Sequence, residues 1–435
     1  LQASATWYFN AVRVRGTLLL VHTKIDFAQT IAVKAGKMVD TERGAVLENQ
    51  VILIKSGLIA SVGPKLEIPA GAQVIDLSNS TVLPGLIDCH THLTDEVECD
   101  PLLQMQKSSA HKALASVPHA RRTLEAGFTT VRDVGCWRAF VDIALRDAIN
   151  RGDVVGPRMY VPGAYITTTG GGGAITGMAP DIVLPADLQF GKADGPLEIR
   201  KAVRDLARHG VDLIKIIATG AILNHGCGPS SEEFTFEEMQ ACVQEAQKFG
   251  LKVVAHAHSN KGIKDAVRAG VASIEHGTFL DDEAAQMMKE RGTYLVADIY
   301  NQVWLEQAAN EGTLPKDFAA KMAKLGTTQR DNFRRAAQAG VKLAFGTDAG
   351  VFPHGLNAKQ FDWMVKYSLS PMQAIQTATI NAADLIGKSE EFGSITPGKY
   401  ADIIAVSEDA TENVTALEHV DFVMKNGVVY KNLTL

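Results

Sequence analysis

"LPGLIDCHTHLT", residues 83–94, decides how the rest of the chain is read. An apolar approach and the pair Pro84-Gly85 lead into a run that carries His90 and His92 one residue apart. In an extended strand, residues i and i+2 point to the same side, so both imidazoles face one point in space. That geometry suits a metal ion, but two nitrogens do not complete a coordination shell. The remaining ligands have to come from elsewhere in the chain.

With "GLIDCHTH" (85–92) as the first, eight short β-branched runs alternate with helical stretches. The others are "FTTVRD" (128–133), "RMYVPG" (158–163), "DLIKIIATG" (212–220), "KVVAHAH" (252–258), "SIEHG" (273–277), "TYLVADI" (293–299) and "KLAFGTDAG" (342–350). Most are too apolar for a sheet with one wet face, which predicts parallel strands covered on both sides. Between them, "TFEEMQACVQEAQKFG" (235–250) has Thr235 and Glu238 as a capping box, and Phe236, Met239, Val243, Ala246 and Phe249 recur at helical period. "SPMQAIQTATINAADLIG" (370–387) reads as one helix with Ser370 as cap, Pro371 in its first turn and Gly387 at its end. Regular β-α units over 85–388 fit a (β/α)8 TIM barrel. A doubly wound sheet is the alternative, and the regularity of the repeats favours the barrel.

The flanks predict a small composite β-sandwich built from both chain ends, residues 31–84 and 389–435. "IAVKAGKMVD", "AVLENQVILIKSGLIASVG" and "AQVIDLSNSTVLPG" read as antiparallel strands, and Pro397-Gly398 and Asn426-Gly427 as hairpin turns. Neither flank has enough strands to bury a core alone. Residues 12–30, "VRVRGTLLLVHTKIDFAQT", start like an export signal, but His22, Lys24 and Asp26 interrupt the apolar region. Residues 1–30 are therefore set aside as a decayed signal or as no native part of the domain, which leaves cytoplasmic and exported locations both open. The net charge of −6 gives no reason to expect nucleic acid or a membrane surface as partner. Five cysteines at irregular spacings, without a CxxC, read as free thiols rather than a disulfide framework.

In a barrel of this kind functional groups sit at the C-terminal ends of strands. Those ends collect His90, His92, Lys215, His256, His258, His276 and Asp348. Singly, each has a plain structural explanation: a strand histidine can be a hydrogen-bonded core residue, and Asp348 a helix cap. Lys215 is harder to place, because a lysine within an apolar strand costs several kcal/mol unless neutralised or paired. Imidazoles with a carboxylate suit a divalent transition metal, zinc above all. An ammonium has no lone pair, so Lys215 can act as a ligand only once its amine has reacted with CO2 to give a carbamate.

The order HxH, Lys, His, His, Asp along the chain resembles the amidohydrolase superfamily. "LPGLIDCHTHL", "AGFTTVRDVG", "LIKIIATG", "VVAHAHS", "SIEHGTFLDDE", "FGTDAGVFPHG" and "NAKQF" resemble its imidazolonepropionase-like branch, from about residue 31 to 432. That branch includes prolidase-like dipeptidases, carboxypeptidases acting on Xaa-Arg and Xaa-Lys, and ochratoxin-hydrolysing amidases. The resemblance implies two divalent ions, one held by His90, His92 and Asp348 and the other by His256 and His276, with carboxylated Lys215 bridging. It leaves His258 free for substrate. A water shared by the ions would ionise near neutral pH and attack the scissile carbonyl, with Asp348 passing its proton to the leaving amine. Two Zn2+ would outweigh the carbamate, Asp348 and a shared hydroxide by a single positive charge, which favours a small-molecule substrate with a free carboxylate. A homo-oligomer is expected, with neither nucleic acid nor membrane as partner.

The substrate loops depart from the family pattern. Relatives commonly carry T-G-G-H after the third strand, where Gly172 follows Thr169-Gly170-Gly171 here; the basic-residue carboxypeptidases have Ser-Arg where this chain reads Asn224-His225. The run "TTTGGGGAITG" (167–177) never completes a dinucleotide fingerprint and reads as a mobile loop or a backbone nest for an anion. Gly172, Gly173, His225 and His258 are thus the expected donors to a substrate carboxylate. Glu232 and Glu233 are expected to face solvent. The implied reaction is hydrolysis of the amide bond to a C-terminal amino acid, in dipeptides or N-acyl amino acids such as ochratoxin A, with apolar or aromatic residues preferred. Cyclic-amide hydrolysis, imidazolonepropionase chemistry and a non-catalytic metal-binding barrel fit the motifs less well.

Overall fold

Pro84 ends the central strand of one sheet, Leu86 begins the first strand of another, and Gly85 alone joins them. A Cβ on Gly85 would lie 2.2 Å from Thr129 Oγ1, so only glycine lets the two sheets meet this closely. The computed structural model describes residues 10–14, 17–21, 30–97 and 100–434. Of the N-terminal segment it describes only Asn10–Val14, paired antiparallel with Thr17–Val21. The export-signal reading of residues 1–30 and the thiol of Cys99 otherwise lie outside the described residues.

Both flanks contribute to one sheet of seven strands, in the order Val428–Asn432, Phe422–Lys425, Ile403–Val406, Gln73–Pro84, Ile31–Asp40, Ala45–Lys55 and Leu58–Gly63. Hydrogen bonds run through all seven, so this is one sheet rather than the two separate sheets a sandwich implies. Nor is it wholly antiparallel. Ile31–Asp40 and Gln73–Pro84 run parallel, with Ala45–Lys55 and Leu58–Gly63 as the crossover between them. Val33, Ile52, Ile54, Ile75, Ile403, Phe422 and Met424 share its apolar core. Asn426 (φ 52°) and Gly427 (φ 76°) form the expected tight turn, with the left-handed backbone a type I′ hairpin needs.

The β-α part contains two parallel arcs. One holds Leu86–Thr91, Phe128–Asp133 and Arg158–Tyr160; the other holds Tyr165–Ile166, Leu213–Ile217, Lys252–Ala257, Ser273–His276 and Tyr294–Val296. The eighth expected run, 342–350, is not a regular strand. Backbone bonds nonetheless tie it to both arcs: Leu295 N–H to the Lys342 carbonyl (2.8 Å), Cys89 N–H to Phe345 (2.8 Å) and His92 N–H to Ala349 (2.8 Å). It lies so close to its neighbours that a Cβ on Gly346 would meet Val296 Cγ1 at 2.2 Å and His90 Cβ at 2.9 Å. A glycine there, and Asp348 at φ 61°, interrupt the ladder.

Helix Phe236–Gln247 carries the Thr235–Glu238 capping box, but it ends before Phe249, which is 49% exposed rather than on the buried face. The stretch 370–387 is not one helix. It breaks into Pro371–Thr377 and Ile380–Ile386, because the Thr379 hydroxyl donates back to the Ile375 carbonyl (2.8 Å). Among the described cysteines, Cys89, Cys136 and Cys242 are buried free thiols and Cys227 is half-buried. No helix among the described residues is long and apolar enough to cross a membrane.

Candidate active site

Parallel register puts the functional side chains at one end of neighbouring strands: Ile217 pairs with His256, and Ala257 with His276. Asp348 reaches the same end through its own N–H, which donates to the His90 carbonyl (2.8 Å). Asp348 Oδ1 then lies 3.3 Å from His90 Nε2 and 3.1 Å from His92 Nε2. His90, His276 and Asp348 present ligand atoms within 4.8 Å of one another, as do His256, His258 and His276. His276 is common to both groups. His258, expected to stand apart for substrate, joins the second group, with its Nδ1 2.7 Å from Thr278 Oγ1. Both His276 (φ 70°) and Asp348 (φ 61°) hold left-handed backbone, a strain that costs about 1–3 kcal/mol and clusters at functional sites.

A layer of acceptors behind the imidazoles fixes their tautomers. His90 Nδ1 donates to Glu275 Oε2 (2.9 Å), His92 Nδ1 to the Gly135 carbonyl (2.7 Å) and His276 Nδ1 to Asp298 Oδ1 (2.8 Å). Glu275 is fully buried and balanced by Arg132, whose Nη2 lies 2.8 Å from Oε1. Asn301 Nδ2 bridges Asp298 Oδ2 (2.9 Å) and Asp348 Oδ2 (2.8 Å), and Gln329 Nε2 donates to Asp298 Oδ1 (2.8 Å). Glu275, Asp298, Asn301, Gln329 and Arg132 were not singled out in the sequence. The adjacency Glu275-His276 was the one visible signal: a carboxylate inside an apolar strand, next to a histidine.

With Nδ1 protonated, the Nε2 lone pairs of His90 and His92 face a carboxylate oxygen that is itself an acceptor. The arrangement therefore calls for a cation between them, a proton or a metal ion. Burial opposes charge on His90, yet Asp348 outweighs it and lifts the imidazole to about 9. Burial opposes the charge on Asp348 as well, but His90 and His92 hold its carboxyl well below the usual range. His256 and His258 are held well below the ordinary histidine value by burial and by His276, so they stay neutral and able to ligate. Lys215 is 2% exposed, and no hydrogen bond or ion pair holds its ammonium among the described residues. Burial pushes it down to about 8, which raises the share of free amine, the form that reacts with CO2. The donor set fits divalent metal.

The expected carboxylate donors fare differently. His225 is not part of the cavity wall: its ring nitrogens lie 3.1 Å from Asp100 Oδ1 and 3.0 Å from Asp317 Oδ2, and the imidazole leans on Phe318. Gly172 and Gly173 do line the cavity, but their amides are taken, by Glu233 Oε1 (2.5 Å) and Thr167 Oγ1 (3.2 Å). The glycine run is thus a packed loop rather than an open nest; a Cβ on Gly171 would lie 2.3 Å from Glu233 Oε2. Glu233 does not face solvent. It turns in beneath this loop, where burial lifts its carboxyl to about 7. Asp298 adds a buried negative charge that the sequence count omitted.

Beside the cavity, His354 stacks on His119 with ring centroids 4.9 Å apart, and its Nε2 donates to the Asp95 carbonyl (2.8 Å). Its Nδ1 is buried without a partner among the described residues, and burial pushes the imidazole down to about 4. The unfolded chain then binds the extra proton between pH ~6.5 and ~4. This stabilisation is present above that window and is lost as pH falls through it, by about 3 kcal/mol. Chemical denaturation of wild type and His354→Gln from pH 7 to 4 should show the wild type losing more stability. Parallel curves would contradict this.

The chain belongs to the amidohydrolase family, whose model matches residues 81–431. It is 30% identical to the ochratoxinase of Aspergillus niger over 436 aligned positions, covering 95% of this chain and 89% of that one. A solved Xaa-Pro dipeptidase with bound methionine in its active site is 38% identical and superposes with a TM-score of 0.88, covering 93% of this chain and all (100%) of the other. The crystal structure of A. niger ochratoxinase superposes with a TM-score of 0.84 at 29% identity, covering 94% and 97%. With the family comes a hydrolase acting on amide bonds.

Proposed function

We propose that this protein is a binuclear zinc hydrolase that cleaves the amide bond to a C-terminal amino acid, in N-acyl amino acids of the ochratoxin A type or in dipeptides. The observation that carries the reading is the convergence of His90, His92 and Asp348 around a point that demands a cation, with His256, His276 and the buried Lys215 alongside. In this reading residues 85–388 are a (β/α)8 barrel completed by the 342–350 segment. Residues 31–84 and 389–435 form a composite sheet domain, and residues 1–30 stand apart.

His90, His92 and Asp348 would hold one ion and His256 and His276 the other, with Lys215 bridging as its carbamate. Two divalent ions there supply Lewis-acid polarisation of the carbonyl and an activated water. Asp348 takes the proton of the attacking water and hands it to the leaving nitrogen. Asn301, by pinning Oδ2, keeps that carboxylate in one orientation. Trp137, Tyr165, Ile222, Leu223, Leu305 and Val351 give the cavity an apolar wall, which favours an aromatic or aliphatic leaving residue.

Glu233 favours a second reading, cleavage before Arg or Lys, because it puts a buried carboxylate behind Gly172. The two are separated by kcat/KM, with zinc present, for acyl-Phe, acyl-Leu, acyl-Pro, acyl-Arg and the matching C-terminal amides. The expected order places acyl-Phe and acyl-Leu above acyl-Arg, with the amides poor. A preference for acyl-Arg would install the second reading, and equal cleavage of the amides would remove the carboxylate requirement.

A further inference from the structure

Asn301 and Gln302 stand in the first turn of helix Ile299–Asn310, and both line the catalytic cavity. They are 4% and 2% exposed. Their amide orientations are fixed by chemistry. Asn301 has to turn its NH2 to the carboxylates of Asp298 and Asp348, which can only accept. Gln302 has to turn its NH2 to the Gly326 carbonyl. Asn301 Oδ1 and Gln302 Oε1 remain as buried acceptors with no partner among the described residues. The neighbouring amide of Gln329 cannot serve them, since its two N–H bonds go to Asp298 Oδ1 and the His276 carbonyl. A buried acceptor without a donor is destabilising, and adjacent orphans in one cavity wall call for an occupant that donates.

We infer that these two oxygens are a subsite for a substrate nitrogen that donates a hydrogen bond, an ammonium or an amide N–H on the acyl half. The acyl half is the one concerned because carbonyl oxygens backed by Asp298 repel the carboxylate of the leaving residue. The inference rests on the proposed amide hydrolysis and, within it, ranks dipeptides above acyl groups without a nitrogen, the ochratoxin A type among them.

Three substrates that share a leaving phenylalanine test it with the zinc-loaded protein. Ala-Phe offers an ammonium, N-acetyl-Ala-Phe an amide N–H, and propionyl-Phe neither. One of the first two should exceed propionyl-Phe by ~10-fold or more in kcat/KM, chiefly through KM, because a site built for a donor rejects an analogue without one. Which of them leads tells ammonium from amide. Gln302→Met and Asn301→Ala should each bring the ratio between the two substrates toward one, a readout that cancels any loss of folded or metal-loaded protein. Equal cleavage of all three by the wild type, or ratios unchanged in both variants, overturns the subsite and leaves amide hydrolysis standing. Cleavage of none of them overturns the hydrolase reading, and the subsite falls with it.

Discussion

Lys215→Ala is expected to lose most of its bound metal together with its hydrolase activity, and short carboxylic acids should restore part of both. Lys215 sits on Leu213–Ile217 with its side chain buried and, among the described residues, no hydrogen-bond partner, one strand away from His256. As a free amine it would place an uncompensated group beside two metal positions; as a carbamate it would supply the anionic bridge they need. Loss of groups that merely support ligands costs about 10–100-fold in metal affinity, so loss of a bridging ligand should exceed ~100-fold. Metal content by atomic emission, with and without added formate or acetate, checks this. Electron density showing a free amine beside two fully occupied metals would rule out the bridge.

Asp348→Asn should lower kcat by at least ~10²-fold, the lower range for loss of general acid–base catalysis, while thermal unfolding changes little. The geometry explains the split. Asn301 donates to Asp348 Oδ2, so an asparagine would keep its carbonyl oxygen there and turn its NH2 toward His90 and His92. Packing would survive, but the group that accepts the proton would not. Turnover near the wild-type value at unchanged metal content would remove Asp348 from the mechanism.

How much of this was legible in the sequence depends on where each interaction originates. His90 and His92 were readable because two-residue periodicity aims both rings at one point. Lys215 was readable because an apolar strand gives an ammonium nothing to bind. The layer behind them was not, since Gln329 on Thr328–Ala339 and Asp348 reach Asp298 and Asn301, at the start of Ile299–Asn310, only once the chain has folded. Glu233 was misread, and the Asp100 and Asp317 partners of His225 went unseen, for the same reason: proximity to a helix cap or a loop says nothing of the carboxylate or amide that folding will place opposite. The break at Thr379 turned on a side chain competing with the backbone, where apolar periodicity alone predicted continuity. The seven-stranded sheet hid its parallel pair because both partners lie in one flank, where a short loop between strands normally signals antiparallel pairing.

The most direct test follows metal content and hydrolysis of an acyl-Phe substrate together, as a chelator strips the protein and zinc is returned. The account predicts about two metal ions per chain in the active protein, activity that falls as they leave, and recovery when zinc is restored. Undiminished hydrolysis by protein freed of metal would contradict it.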